Sequence, residues 1–224
     1  MGSVGIEWVK NYNGLQGNLT NTKPQAEGFA KTLSAVQRFN WGDDLAWDED
    51  FEQRGVGNPP AGTDSTWVDS VDFVFFSGHG SADRFYFGRS IDDAVVKNTE
   101  VKWGDQNLEW IALDACNVLE RDGVFDRWGW PVFAGLHYIL GFHTTTRDEA
   151  DRGRLLAQYL NAGWSVREAW IRAAQDTEGS ETWWAYLRAD AAGTDTYHDH
   201  WWGKGVTSAD PIRPTILFYA RGTC

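Results

Sequence analysis

Apolar runs with strand character recur along the chain, at residues 5–9, 71–76, 108–113, 137–142 and 215–219. The second, Val71-Asp72-Phe73-Val74-Phe75-Phe76, is nearly all apolar, as a strand covered on both faces of a parallel sheet must be. A shorter piece, residues 84–87, has the length to pair nearby as a small hairpin. Elsewhere the apolar period changes to that of a helix. Phe29, Leu33 and Val36 form one stripe and predict a helix over 25–39, and Leu155, Leu156, Tyr159 and Leu160 form another, stopped by Gly163. Ser165-Val166-Arg167-Glu168 has the spacing of a capping box and opens a helix that carries Trp170, Ala173 and Ala174. A further helix is predicted over 181–188. Strands alternating with helices predict an α/β domain with a mostly parallel central sheet and helices on both faces. Residues 54–65, around Pro59-Pro60, read as a surface loop and not a linker, and no internal repeat divides the chain, so 1–224 is expected to be one domain.

Two strand ends carry the candidate chemistry. Phe75-Phe76-Ser77-Gly78-His79-Gly80 is an apolar strand running into a glycine-flanked histidine, and Trp110-Ile111-Ala112-Leu113-Asp114-Ala115-Cys116 is another ending in the internal cysteine. Ligands of open α/β sheets bind just beyond the carboxyl ends of the strands. If these two strands are neighbours, His79 and Cys116 face one crevice. A thiol at its usual pKa is only a few per cent ionised at neutral pH, and an imidazole beside it can take the proton and later return it to a leaving group. The amides of Gly80 and Cys116 are the expected oxyanion donors. Taken singly, a strand-end cysteine is a small buried hydrophobe and Gly-His-Gly is a turn. His143 also follows a strand, with crevice lining and a local hydrogen bond as its two readings.

Composition narrows the field. Asp plus Glu number 32 against 20 Lys plus Arg, a formal charge of −12 with no basic patch, so nucleic acid and anionic membranes are unexpected partners. No apolar run is long enough to span a bilayer. No signal peptide is visible, so cytoplasm is the default compartment, with secretion the alternative if a leader has been removed. Cys116 and Cys224 allow one bridge at most and have no metal spacing. No metal and no cofactor are expected. Tyr197-His198-Asp199-His200 holds two imidazoles but reads as a hydrogen-bonded loop, and Asp43-Asp44 with Asp48-Glu49-Asp50 reads as a solvated acidic loop. The 14 tryptophans are the compositional outlier. They suit an aromatic core, or a Trp-lined cleft in which Trp128 and Trp130 would touch a ligand.

The strand-end motifs, Ser77-Gly78-His79-Gly80 and Asp114-Ala115-Cys116, resemble the His-Gly and Ala-Cys signatures of caspase-like (clan CD) cysteine peptidases, the Asp-Ala-Cys form most of all those of clostripain and metacaspases. Gly141-Phe142-His143-Thr144-Thr145-Thr146 and Trp202-Gly203-Lys204-Gly205 are similar to segments of a microbial family of the same fold. The resemblance implies a three-layer α/β/α caspase-like sandwich, with His79 as general base and acid, Cys116 as nucleophile, and the Gly80 and Cys116 amides holding the oxyanion. It also implies that Asp114 lines a pocket for Arg or Lys at P1. Asn117-Val118 replaces the Arg-Gly that follows the caspase cysteine, which counts against aspartate at P1. The expected function is a Cys-His hydrolase, an endopeptidase acting on a peptide or protein through a thioester. The alternative is a non-proteolytic protein of that fold that binds or transforms a small apolar molecule in a Trp-lined pocket. Oligomeric state is not legible.

Overall fold

The computed structural model describes residues 2–57, 61–89 and 93–224; Pro59-Pro60 of the expected surface loop lies outside the described residues. Its frame is a seven-stranded sheet built from β1 (Ser3–Trp8), β2 (Val36–Gly42), β3 (Phe73–Ser77), β7 (Trp110–Asp114), β8 (Tyr138–Phe142), β9 (Trp183–Asp190) and β10 (Ile216–Thr223), in the order β10-β9-β8-β7-β3-β1-β2. The five strands from β2 to β8 run parallel, and β9 and β10 close the far edge antiparallel. A small antiparallel sheet of β4 (Gly80–Ser81), β5 (Arg84–Tyr86) and β6 (Val95–Lys97) follows the expected hairpin.

The period of two along each central strand sorts side chains to two cores. Val4, Ile6, Phe73, Phe75, Trp110, Ala112, Tyr138 and Leu140 point to one face. There they meet α1 (Thr22–Thr32), α2 (Arg152–Asn161) and α3 (Val166–Thr177) through Phe29, Leu156, Leu160, Trp170 and Ala173. Val74, Phe76, Ile111, Leu113 and Ile139 point to the other, against Phe51, Phe85, Phe87, Trp103 and Trp128. Among the described residues the three α-helices therefore lie on one face, not on both as the sequence predicts. The second face is closed by the small sheet, by a π-helical turn at Phe125–Gly129 that carries Trp128, and by aromatic-rich irregular segments. The fold is α/β with a mixed, mostly parallel sheet packed against helices.

Two predicted helices are partly or largely strands. The helix predicted over 25–39 starts at Thr22 and stops at Thr32, with extended Leu33 as its C-cap, and Val36 begins edge strand β2. Of the residues predicted as a helix over 181–188, those from Trp183 onward form β9, whose Trp184 and Tyr186 stack at 6.2 Å. Aromatic and β-branched side chains fit a pleated surface between two partners better than a helix. The capping box is as expected: Ser165 Oγ accepts the Glu168 N–H at 3.4 Å and donates to its carboxylate at 2.7 Å. Gly163 ends α2 in the left-handed region, with φ at +85°. Among the described residues no helix is long and apolar enough to cross a membrane.

Candidate active site

β3 and β7 are adjacent and parallel, with Ser77 opposite Asp114. The chain leaves both at the same end, and the Gly78 N–H donates to the Asp114 carbonyl at 3.2 Å, extending the pairing by one step. His79 and Cys116, each two residues beyond its strand, thus line one small cleft of about 70 Å³, together with Leu19, Thr22, Gln25, Ser77, Asp114, Thr146, Arg147 and Asp148. Gly80 has to be glycine for this approach. A Cβ there would sit 2.8 Å from Ala115 Cβ and 3.0 Å from the Cys116 carbonyl oxygen. A larger recess of about 610 Å³, between Gly2, Ser34, Asp72, Trp202 and Gly203, opens at the opposite strand ends and holds none of the candidate residues.

The loop after β1 fixes the histidine. Its main-chain N–H donates to the Tyr12 hydroxyl at 2.7 Å, and the two rings lie 4.7 Å apart. Nε2 is 2.7 Å from the Gly17 carbonyl oxygen. A carbonyl only accepts, so the neutral ring carries its proton on Nε2 and keeps the lone pair on Nδ1. Cys116 sits just before Asn117, whose φ of +60° turns the chain sharply. Its sulfur accepts the Thr146 N–H at 3.4 Å and lies 3.6 Å from the Thr146 carbonyl oxygen. Burial raises the thiol pKa, the Thr146 N–H opposes it, and the Asp114 and Glu178 carboxyls raise it further. At neutral pH the sulfur is a thiol, held by Thr146, while the imidazole is held by Gly17.

Behind the cleft runs a buried polar chain. Ser77 Oγ donates to Gln25 Oε1, and Gln25 Nε2 donates to Asp114. Arg152 Nη1 pairs with Asp114 at 2.5 Å, its Nη2 pairs with Glu178, and Nε donates to Thr177 Oγ1 at 2.9 Å. Glu178 in turn accepts from Thr146 Oγ1 at 2.6 Å and the Arg147 N–H at 2.9 Å, which holds the segment touching the sulfur. Burial lifts the Asp114 pKa to about 6, with Arg152 working against it. No sequence pattern marks Gln25, Tyr12, Arg152 or Glu178, because each reaches the site from a separate element.

Several expected site residues fall elsewhere or are otherwise engaged. Asp114 lines the cleft, but it is 4% exposed and both its oxygens are taken by Arg152 and Gln25, so no free carboxylate is presented to an incoming cation. His143 leaves β8 toward the sheet's other face, where Nδ1 accepts the Arg121 N–H at 3.1 Å and Nε2 meets Arg221; it is not a cleft residue. Trp128 is fully buried in the second core, 6.0 Å from Trp103, with its indole N–H on the Ala82 carbonyl at 2.8 Å. Trp130 is exposed, away from the cleft. Both were expected to touch a ligand there. Of the acidic residues expected to be solvated, Asp44 is exposed, but Asp48, Glu49 and Asp50 are buried. Asp199 is bound to His137 at 2.5 Å, inside the predicted imidazole loop. Among the described residues no group of three or more His, Cys, Asp or Glu is placed to hold a metal ion. Both cysteines are free thiols.

Compared with known proteins, residues 6–222 match the model of a family described as a domain of unknown function, DUF6345. No curated protein matches the chain.

Proposed function

Because the chain belongs to the DUF6345 family, whose description carries no activity, the strand-end cleft is the ground for a function, and we propose that it is the active site of a caspase-like cysteine hydrolase. The observation that carries this reading is the Ser77–Asp114 register, which delivers His79 and Cys116 to one cleft at the carboxyl end of a parallel sheet. The resemblance of the two strand-end motifs to those of caspase-like peptidases supports the same assignment.

A thiol pKa raised by burial supports general-base catalysis over a standing thiolate. On substrate binding, Cys116 Sγ gives its proton to His79 Nδ1 and attacks an acyl carbonyl carbon. The carbonyl's electron pair moves to oxygen, which the Gly80 and Cys116 amides stabilise. Collapse expels the amine or alkoxide, protonated by His79, and leaves a thioester. Water, deprotonated by His79, then attacks the thioester, and the thiol returns with its proton. One oxyanion donor is typically worth about 3 kcal/mol of barrier.

The bond cleaved is a peptide bond. A preference for Arg or Lys at P1 would require Asp114 to release Arg152, and acyl transfer does not depend on it. The small volume favours a second reading within the same chemistry, a short acyl group as substrate, since pockets for drug-sized ligands hold ~300–1,000 Å³.

The test is a set of acyloxymethyl-ketone and aryl-ester probes of varied acyl group, read by mass at Cys116. An adduct on Cys116 is expected, with hydrolysis abolished in Cys116→Ala and slowed about 10²–10⁴-fold in His79→Ala. Full hydrolysis by Cys116→Ala would sink the proposal.

A further inference from the structure

A second recess, of about 180 Å³, is lined by Trp41, Leu45, Trp47, Asp50 and Trp67, on the sheet face away from the helices. We propose that it is a binding site for an alkylated ammonium head group, such as a quaternary amine, independent of the Cys116 cleft.

Its walls are preformed. Trp41, near the end of edge strand β2, and Trp67 meet edge to face, at 85° with centroids 5.3 Å apart. Trp67 also packs on Phe39 at 6.0 Å. The Trp47 indole N–H donates to the Asp44 carbonyl at 3.0 Å, which holds that ring. Yet Trp47 remains 39% exposed and Leu45 61% exposed, so the recess leaves open apolar surface that a ligand would cover.

The floor decides the sign of the ligand. Asp50 lines the recess and is 5% exposed, with one oxygen 3.1 Å from the Thr63 hydroxyl. Glu7, on β1, is fully buried behind it. The groups that act on Asp50 are Glu7 from β1, Glu49 from its own turn and Thr63. Burial, then Asp50 and Asp48, push the Glu7 pKa well up, and burial raises that of Asp50 to about 7. A carboxylate under three indoles is unfavourable alone and favourable beneath a cation, because the indole faces are negative as well. The protein's net charge of −12 adds to the attraction.

Alkylation follows from the walls. A bare ammonium is strongly hydrated and gains little from carbon walls, whereas a quaternary centre brings methyl groups that bury against them. The volume is that of a head group, below the ~300–1,000 Å³ of sites for whole drug-sized ligands.

The experiment titrates the whole protein with choline, tetramethylammonium and 3,3-dimethylbutan-1-ol, the neutral isostere of choline, following tryptophan fluorescence and ligand-observed NMR. Saturable binding of both cations is expected, with the neutral alcohol at least about tenfold weaker. Cation affinity should fall about tenfold from pH 8 to pH 6 as Asp50 takes up its proton, and Asp50→Asn should remove that dependence. Trp47→Leu should weaken choline about tenfold and Trp47→Phe should retain most of the binding. Equal binding of the alcohol, no saturation by about 100 mM choline, or unchanged affinity in a folded Trp47→Leu protein would overturn the proposal.

Discussion

Arg152→Met isolates the buried charge chain that backs the cleft. Arg152 is fully buried, and its guanidinium pairs with Asp114 and Glu178, donates to Thr177 and lies 4.7 Å from the centre of the Phe142 ring. Methionine fills much of the volume but leaves two interior carboxylates without their cation. Breaking a buried pair in this way costs about 3–5 kcal/mol, a large part of the ~5–15 kcal/mol that holds a domain folded. In urea, with a slope of about 2–3 kcal/mol per molar, the midpoint should fall by about 1–2 M.

The cost should also depend on pH. Burial already raises Asp114 to about 6, and the loss of Arg152 removes the main opposing influence, so Asp114 in the variant binds its proton at a still higher pH. Protonation then relieves the unpaired charge, and the cost should be about 1–2 kcal/mol smaller at pH 5 than at pH 8. Adding Asp114→Asn to Arg152→Met should recover part of the loss at pH 8. A cost below about 1 kcal/mol, or one that is equal at the two pH values, would refute the reasoning.

Other predictions follow from the same geometry. The stability of the wild-type protein should decline as pH rises from about 5 to 9, by at least about 3 kcal/mol in urea titrations. Burial raises Asp50 and Asp64 to about 7, Asp69 to about 8 and Glu109 to about 9. Burial pulls His137 down, but Asp199 and Asp210 outweigh it and hold it at about 9. Each group's stabilisation is present below its unfolded pKa and lost as pH rises through the folded one, so a flat or rising profile would count against these assignments. Trp128→Ala should cost about 3–5 kcal/mol without changing turnover per folded molecule, whereas Trp130→Ala, at an exposed position, should stay within about 0.5 kcal/mol. The reverse ranking, read by thermal unfolding, would overturn the placement of Trp128 in the core and Trp130 at the surface. Gly80→Ala forces a methyl to within 2.7 Å of Val118 Cγ1 and 2.8 Å of Ala115 Cβ. It should cost about 1–3 kcal/mol and, by displacing the Cys116 turn, lower Cys116 acylation by more than the lost folded fraction. Acylation that merely tracks folding would separate Gly80 from the site.

What the chain determines by itself is local. A short, nearly all-apolar run such as 71–76 reads as a buried strand and is one from Phe73, Ser165 with Glu168 caps a helix wherever it lies, and His79 and Cys116 are fixed just past strand ends whatever the topology. Periods of two and 3.6 lose this power where large aromatics dominate. Trp183-Trp184-Ala185-Tyr186 satisfies either pattern, and only pairing with β8 and β10 makes it a strand. In the same way Phe29, Leu33 and Val36 continue a helical stripe on paper, while the place beside β1 draws residues from Val36 onward into the sheet.

Tertiary structure decided the rest, because a side chain's chemistry depends on neighbours far away in sequence. The strand order placed β3 against β7 and so brought His79 and Cys116 to one cleft. Packing against Trp103 and Phe85 made Trp128 core. Arg152, arriving from α2, occupied Asp114, and desolvation turned an apparently solvated acidic run into buried carboxyls, one of which floors the Trp41–Trp47–Trp67 recess. Burial and partner distance set these charges, and neither is encoded in the spacing of residues along the chain.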